Sequence, residues 1–183
     1  MSVVTVFGSS RLVEGDALYA EARALGGALA VAGFSVCSGG YGGVMEAVSR
    51  GAKEAGGRTL GVTASFFGRQ ANQWVDEEVR VSTWHDRLFE LIRRGDGYVA
   101  CQGGTGTLVE LSVVWEMLNK RVMPPKPFAV LGGFWQPIIE RLREVEGAAG
   151  SGYSEADAPL VRTCAQPHEA ATFLANALGR GTL

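Results

Sequence analysis

The stretch that decides the fold is Tyr98-Val-Ala-Cys-Gln-Gly-Gly-Thr-Gly-Thr-Leu-Val-Glu110. It opens as a short apolar run, Tyr98–Cys101, of the kind that forms a buried strand. It passes at once into the glycine-rich turn Gln102–Thr107 and continues as a helix through about Asn119. Strand, glycine turn and helix make the unit from which parallel α/β sheets are built. Gly103, Gly104 and Gly106 have no Cβ, so the backbone can turn tightly and come close to a ligand. The helix that follows presents free N–H groups and the positive end of its dipole, which favour an anion. Thr105 and Thr107 add hydroxyls within reach of phosphate oxygens.

The same unit recurs upstream. Val3–Phe7 reads as a strand ended by Gly8-Ser9-Ser10, and Leu18, Ala22, Leu25 and Leu29 keep helical spacing between Glu14 and Ala32. Phe34–Cys37 is a second strand, followed by Ser38-Gly39-Gly40-Tyr41-Gly42-Gly43 and a helix through about Ala55. Thr59–Val62 and Val79–Val81 are further strands, and a helix from about His85 to Arg94 leads into Tyr98. Downstream come the strand Phe128–Leu131, the helix Gln136–Val145, the strand Val161–Cys164 and the helix Pro167–Leu178. This alternation predicts an α/β fold: a Rossmann-like, doubly wound parallel sheet of about seven strands with helices on both faces. One domain is expected over residues 1–183. In such sheets ligands sit beyond the carboxyl ends of the strands, where strand order reverses. The loops Gly8–Ser10, Ser38–Gly43 and Gln102–Thr107 all fall on that edge. The irregular stretch Ala64–Trp74 is expected to be a mobile segment over the site.

Composition narrows the ligand. The chain has 183 residues, 46% hydrophobic and 20% charged, with a net charge of −2. Binding a nucleic acid polymer needs a surplus of Lys and Arg to displace counterions, and none exists here. A small nucleotide remains the expected partner. The 26 glycines are about twice what average usage gives. Cys37, Cys101 and Cys164 are far apart and read as free buried thiols; neither a disulfide framework nor a metal site is expected. The start reads as a first strand, not a leader, and no apolar run nears the roughly 18 residues of a membrane span. A soluble, cytoplasmic protein with no membrane partner is expected.

Two charged side chains stand out near the expected ligand edge. Glu110 lies one turn into the helix that begins at Thr107, and Arg87 begins the helix before the fifth strand. Each has a plain reading and a functional one. Thr107 and Glu110 have the spacing of a capping box, or Glu110 is a carboxylate beside the sugar of a nucleotide. Arg87 is a solvated helix arginine, or it faces the same pocket.

Gln102-Gly-Gly-Thr-Gly-Thr-Leu-Val-Glu110 resembles the PGGxGTxxE signature of the Lonely Guy (LOG) family, whose members were long labelled lysine decarboxylases. His85-Asp-Arg87 is similar to that family's HER element, Gly39-Gly-Tyr-Gly-Gly-Val-Met45 to its GGGxxGLM loop, and Gly8-Ser-Ser10 to its opening GSS. The likeness runs from about Val3 to Leu142. It implies a phosphoribohydrolase that cleaves the N-glycosidic bond of a nucleoside 5′-monophosphate, of the AMP or cytokinin riboside type, without a cofactor. It also implies Arg87 and Glu110 as catalytic residues. Phosphate and nucleotide would be held by Gly8, Ser9, Ser10, Gly39, Gly40, Gly42, Gly43 and Met45, and by Gly103, Gly104, Thr105, Gly106 and Thr107. Three positions depart from the pattern: Gln102 for the signature proline, Leu88 after the arginine where lysine is usual, and Glu46 after Met45 where glycine is usual. These departures imply a divergent branch, nearer to molybdenum-cofactor carrier-like proteins, so a non-catalytic nucleotide or cofactor carrier is the alternative. Pyridoxal phosphate chemistry needs a Schiff-base lysine, and Lys53, Lys120 and Lys126 lie on none of the glycine loops. The helix Thr107–Asn119 carries Leu108, Leu111, Val114, Trp115 and Leu118 around more than one face. One sheet is not expected to bury them all, and the resemblance implies a homodimer built on such helices.

Overall fold

Strands that are apolar without alternation need cover on both faces. In the computed structural model, which describes residues 1–148 and 160–179, they have it. The strands are β1 (Val3–Phe7), β2 (Ser35–Ser38), β3 (Thr59–Ala64), β4 (Glu77–Val81), β5 (Gly97–Ala100), β6 (Phe128–Leu131) and β7 (Arg162–Cys164). They form one parallel seven-stranded sheet in the order β4-β3-β2-β1-β5-β6-β7. The helices are α1 (Ala17–Val31), α2 (Val44–Glu54), α3 (Trp84–Arg94), α4 (Thr105–Asn119), α5 (Gln136–Ala148) and α6 (Pro167–Ala177). Val4, Val6, Leu25, Leu29, Val48 and Leu174 belong to the core that α1, α2 and α6 make with one face. Leu91, Leu111, Trp115, Phe128 and Ile139 belong to the core that α3, α4 and α5 make with the other. The doubly wound α/β architecture is therefore the observed one. Strand order reverses between β1 and β5, so the loops after these two strands flank the crevice that such a sheet offers a ligand. The expected domain over 1–183 also takes in residues 149–159 and 180–183, which lie outside the described residues.

Element boundaries shift for identifiable reasons. Helix α1 begins at Ala17, not Glu14, after Asp16 in extended backbone conformation. Strand β2 begins one residue late because Phe34 N–H still donates to Leu29 O in the turn that closes α1. Helix α3 begins at Trp84: the Thr83 hydroxyl accepts from Asp86 N–H at 3.0 Å and donates to the Asp86 carboxylate at 2.6 Å. The stretch Ala64–Trp74 holds a single 3₁₀ turn, Ser65–Phe67. It is tied down at both ends. Tyr41 Oη accepts from Ala64 N–H and donates to Ala64 O, and Asn72 Nδ2 donates to Gly40 O and Tyr41 O.

Several glycines serve packing and not the ligand edge. A Cβ at Gly26 would stand 2.0 Å from Val48 O, and one at Gly51 would stand 1.8 Å from Arg23 O. Helices α1 and α2 therefore cross backbone to backbone. The glycine surplus is thus partly a helix-packing surplus.

Candidate functional site

The carboxyl ends of β1, β3 and β5 open into a cleft of about 670 Å³, within the range typical of small-molecule sites. From the loop after β1 it is lined by Gly8, Ser9, Ser10 and Arg11, and from the loop after β5 by Gln102, Gly103, Gly104, Thr105, Gly106 and Thr107. Met45, Arg87 and Glu110 line it as well. The two loops are stitched together by Ser9 N–H donating to Gln102 O at 3.1 Å.

The helix after β5 starts two residues earlier than its sequence suggests. Helix α4 begins at Thr105 with Gly104 as N-cap, and no side chain caps it. Thr107 is therefore inside the first turn, and the Thr107–Glu110 capping box does not form. Leu108 N–H is the first to find a helical carbonyl, Gly104 O at 3.0 Å. The N–H groups of Thr105, Gly106 and Thr107 are those that a helix start leaves without helical partners, and these residues face the cleft. A Cβ at Gly103 would stand 2.1 Å from Thr107 Oγ1, so glycine there lets the Thr107 side chain fold back beneath the loop.

The second glycine loop plays another part. Gly39, Gly40, Gly42 and Gly43 do not line the cleft. Gly43 has φ +71° and passes under Ser9, where a Cβ would meet Ser9 O at 2.2 Å. Val44 N–H, at the start of α2, donates to Ser9 O at 2.8 Å. This loop thus holds the β1 loop in place.

Arg87 is not a solvated arginine. Its Nε donates to Val62 O and its Nη2 to Gly39 O, each at 2.9 Å, with Met45 Sδ 3.7 Å from Nη2. The guanidinium also lies 5.3 Å from the Tyr41 ring centre and 5.9 Å from that of Phe67. Burial pulls its pKa below the usual arginine value, and the Glu110 charge opposes that. Glu110 lies across the cleft on α4. Burial raises its carboxyl to about 7 against the pull of Arg87. The two make no ion pair within 4.0 Å. A carboxyl poised near neutrality beside a fixed cation is the arrangement expected of a reacting centre.

Sequence reading did not single out Arg11, Tyr41, Phe67, Arg69 or Trp84 as lining residues. Phe67 and Arg69 come from the Ala64–Trp74 stretch, whose position over the site was the available signal. Among the described residues no group of three or more His, Cys, Asp or Glu side chains could hold a metal ion. No helix among them is long and apolar enough to cross a membrane.

A profile of the SLOG cluster4 family matches residues 1–133. The chain belongs to that family. Its kinship with LOG proteins appears in individual relatives too. The cytokinin riboside 5′-monophosphate phosphoribohydrolase LOG of Oryza sativa subsp. japonica is 33% identical over 129 residues, covering 67% of this chain and 51% of its own length. The chain spans about half the length of several such named phosphoribohydrolases. Among solved structures, the molybdenum cofactor carrier protein of Chlamydomonas reinhardtii superposes with a TM-score of 0.72 at 23% identity, covering 97% of this chain and 98% of its own. The molybdenum cofactor binding protein of Rippkaea orientalis gives 0.68 at 25% identity, covering 92% and 91%. The SLOG cluster4 chain thus shares its fold with these two structures and part of its sequence with proteins named as phosphoribohydrolases.

Proposed function

We propose that this protein hydrolyses the N-glycosidic bond of a nucleoside 5′-monophosphate, releasing the free base and ribose 5-phosphate. The observation that carries this reading is the pairing of Glu110 and Arg87 across one cleft, beside a helix start with no side-chain cap. The phosphate would rest on the N–H groups of Thr105–Thr107 and on the Gly8–Ser10 loop. As the C1′–N bond breaks, its electron pair goes to the base and positive charge grows on the sugar. An ionised Glu110 stabilises that oxocarbenium-like state and orients the water that adds to C1′. The water's hydroxyl joins C1′, and its proton passes through Glu110 toward the departing base. Arg87, held by two backbone carbonyls, offers its charge to the base as negative charge gathers there.

A second reading, a non-catalytic carrier of a nucleotide or of molybdenum cofactor, draws on the likeness to the Rippkaea orientalis binding protein. Incubation with a panel of nucleoside monophosphates, with free base assayed, separates the two. Release of base supports the hydrolase; tight binding without release supports the carrier. Thermal protection by the monophosphate well above that by the nucleoside is expected under both, and equal protection removes phosphate anchoring. A homodimer belongs to this proposal. The chain itself buries Leu111, Val114, Trp115 and Leu118, but Leu108, Val109, Val113 and Met117 stay half-buried on α4. Sedimentation showing only monomer at micromolar concentration would overturn it.

A further inference from the structure

With the phosphate on α4, the cleft has a definite far end. Strand β3 stands three positions from β5 in the sheet, roughly 14 Å at about 4.8 Å per strand. A nucleotide laid across the strand ends therefore carries its base toward the residues that follow β3 and β4. Those that line the cleft there are Phe67, Arg69 and Trp84, with Tyr41 and Arg87 beneath.

The polar groups at that end are one-sided. Tyr41 Oη is already engaged with Ala64 N–H and O, and the Arg87 guanidinium with Val62 O and Gly39 O. What remains among the side chains there is the guanidinium of Arg69, the indole N–H of Trp84 and Arg87 Nη1. All are donors that cannot accept a hydrogen bond. Among the described residues Arg69 makes no side-chain hydrogen bond or ion pair, and Trp84 makes only an edge-on ring contact with His85. Phe67 and Trp84 are 44% and 41% exposed, so both leave ring surface open for a base to stack on.

A donor-only end discriminates between purines by their exposed edge. A 6-oxopurine offers two acceptors side by side, O6 and N7, which a guanidinium fork can bridge. Adenine and its N6-substituted forms place a donor at position 6, which would face a second donor and go unpaired. We infer that the base subsite, stacked by Phe67 and Trp84 and read by Arg69, selects a 6-oxopurine nucleoside monophosphate over an adenine one. This rests on the phosphate-on-α4 reading above.

The test is equilibrium binding of IMP, GMP, AMP and ribose 5-phosphate to protein with Arg69 intact and to Arg69→Met, by calorimetry. Binding is the readout, and every titration is run in the Glu110→Gln background, so that no nucleotide is turned over while it is measured. IMP and GMP are expected to bind at least about tenfold more tightly than AMP. In Arg69→Met that ratio should fall toward one, while ribose 5-phosphate, which has no base, keeps its affinity. If ribose 5-phosphate binds with Arg69 intact but AMP equals or exceeds IMP, the inference is overturned and the phosphate reading stands. If the preference survives in Arg69→Met, its assignment to Arg69 is overturned. If ribose 5-phosphate does not bind with Arg69 intact, both readings fall together.

Discussion

Gly39 and Arg87 compete for one space: a Cβ on Gly39 would stand 1.7 Å from Arg87 Nη2. The guanidinium is seated on the Gly39 carbonyl itself. The glycine of the second loop therefore acts on the site through the arginine that it seats. Gly39→Ala should unseat Arg87, because the added methyl meets its guanidinium and, at 2.6 Å, Met45 Sδ; the hydrogen bonds lost should cost about 1.5–3 kcal/mol of stability. A misplacement near 1 Å can cost about 10²-fold in rate, so base release should fall by that order in protein that is still folded at the assay temperature. Kinetics alongside a thermal melt checks both halves.

The Glu110 carboxyl, raised by burial to about 7, fixes a pH dependence. The reaction needs the carboxylate, so kcat/KM should rise with pH through about 7 and level off above it. Arg87 opposes the rise in this pKa, so Arg87→Met should move the rising limb to higher pH on whatever activity remains. Stability runs the other way. The folded state holds this proton more tightly than a carboxyl at its ordinary 4.5, so this group's contribution to stability is full below about 4.5 and is lost as pH rises through about 7. Glu110→Gln should remove that slope from a melting-temperature profile, and a slope left intact would contradict the assignment.

Much of the fold was legible because its signals are local. Apolar runs such as Val3–Phe7 and Phe128–Leu131 end at glycine, and the helical spacing of Leu18, Ala22, Leu25 and Leu29 does not depend on tertiary context. Pairing Arg87 with Glu110 came from resemblance, since nothing local says that a helix arginine will turn inward onto Val62 O. Arg69 and Phe67 were illegible for a related reason: they lie in a stretch without periodicity, placed by long-range contacts such as those of Tyr41 and Asn72. The Thr107–Glu110 capping box failed because Gly103 and Gly104 let the helix begin early, at Thr105.

Gly26 and Gly27 are neighbours in α1 whose substitution should have opposite effects. A Cβ at Gly26 meets Val48 O at 2.0 Å, whereas at Gly27 the nearest atom is Gly51 O at an ordinary 3.5 Å. Gly27→Ala gains helix propensity, up to about 1 kcal/mol. Gly26→Ala gains the same but must force α1 off α2, at about 1–3 kcal/mol. Thermal melts should show Gly27→Ala at or above wild type and Gly26→Ala several degrees below it. Equal shifts would mean that the two helices do not meet backbone to backbone.

Hydrolase and carrier part company at Glu110. If Glu110 and Arg87 act on the transition state, Glu110→Gln and Arg87→Ala should each lower base release by about 10²–10⁴-fold. Ribose 5-phosphate affinity should stay within a few-fold of wild type, because interactions that grow only in the transition state contribute little to ground-state binding. Loss of a cap cannot account for such a result, since α4 is capped at Gly104 without a side chain. Glu110→Gln should leave the fold at least as stable as wild type at pH 8, where the half-buried native carboxylate is ionised against its preference. In a carrier the same substitutions would change only affinity, and wild type would bind the monophosphate without ever releasing base. Single-turnover measurement on wild type and both variants, with binding followed in parallel, therefore decides whether this cleft turns its ligand over or only holds it.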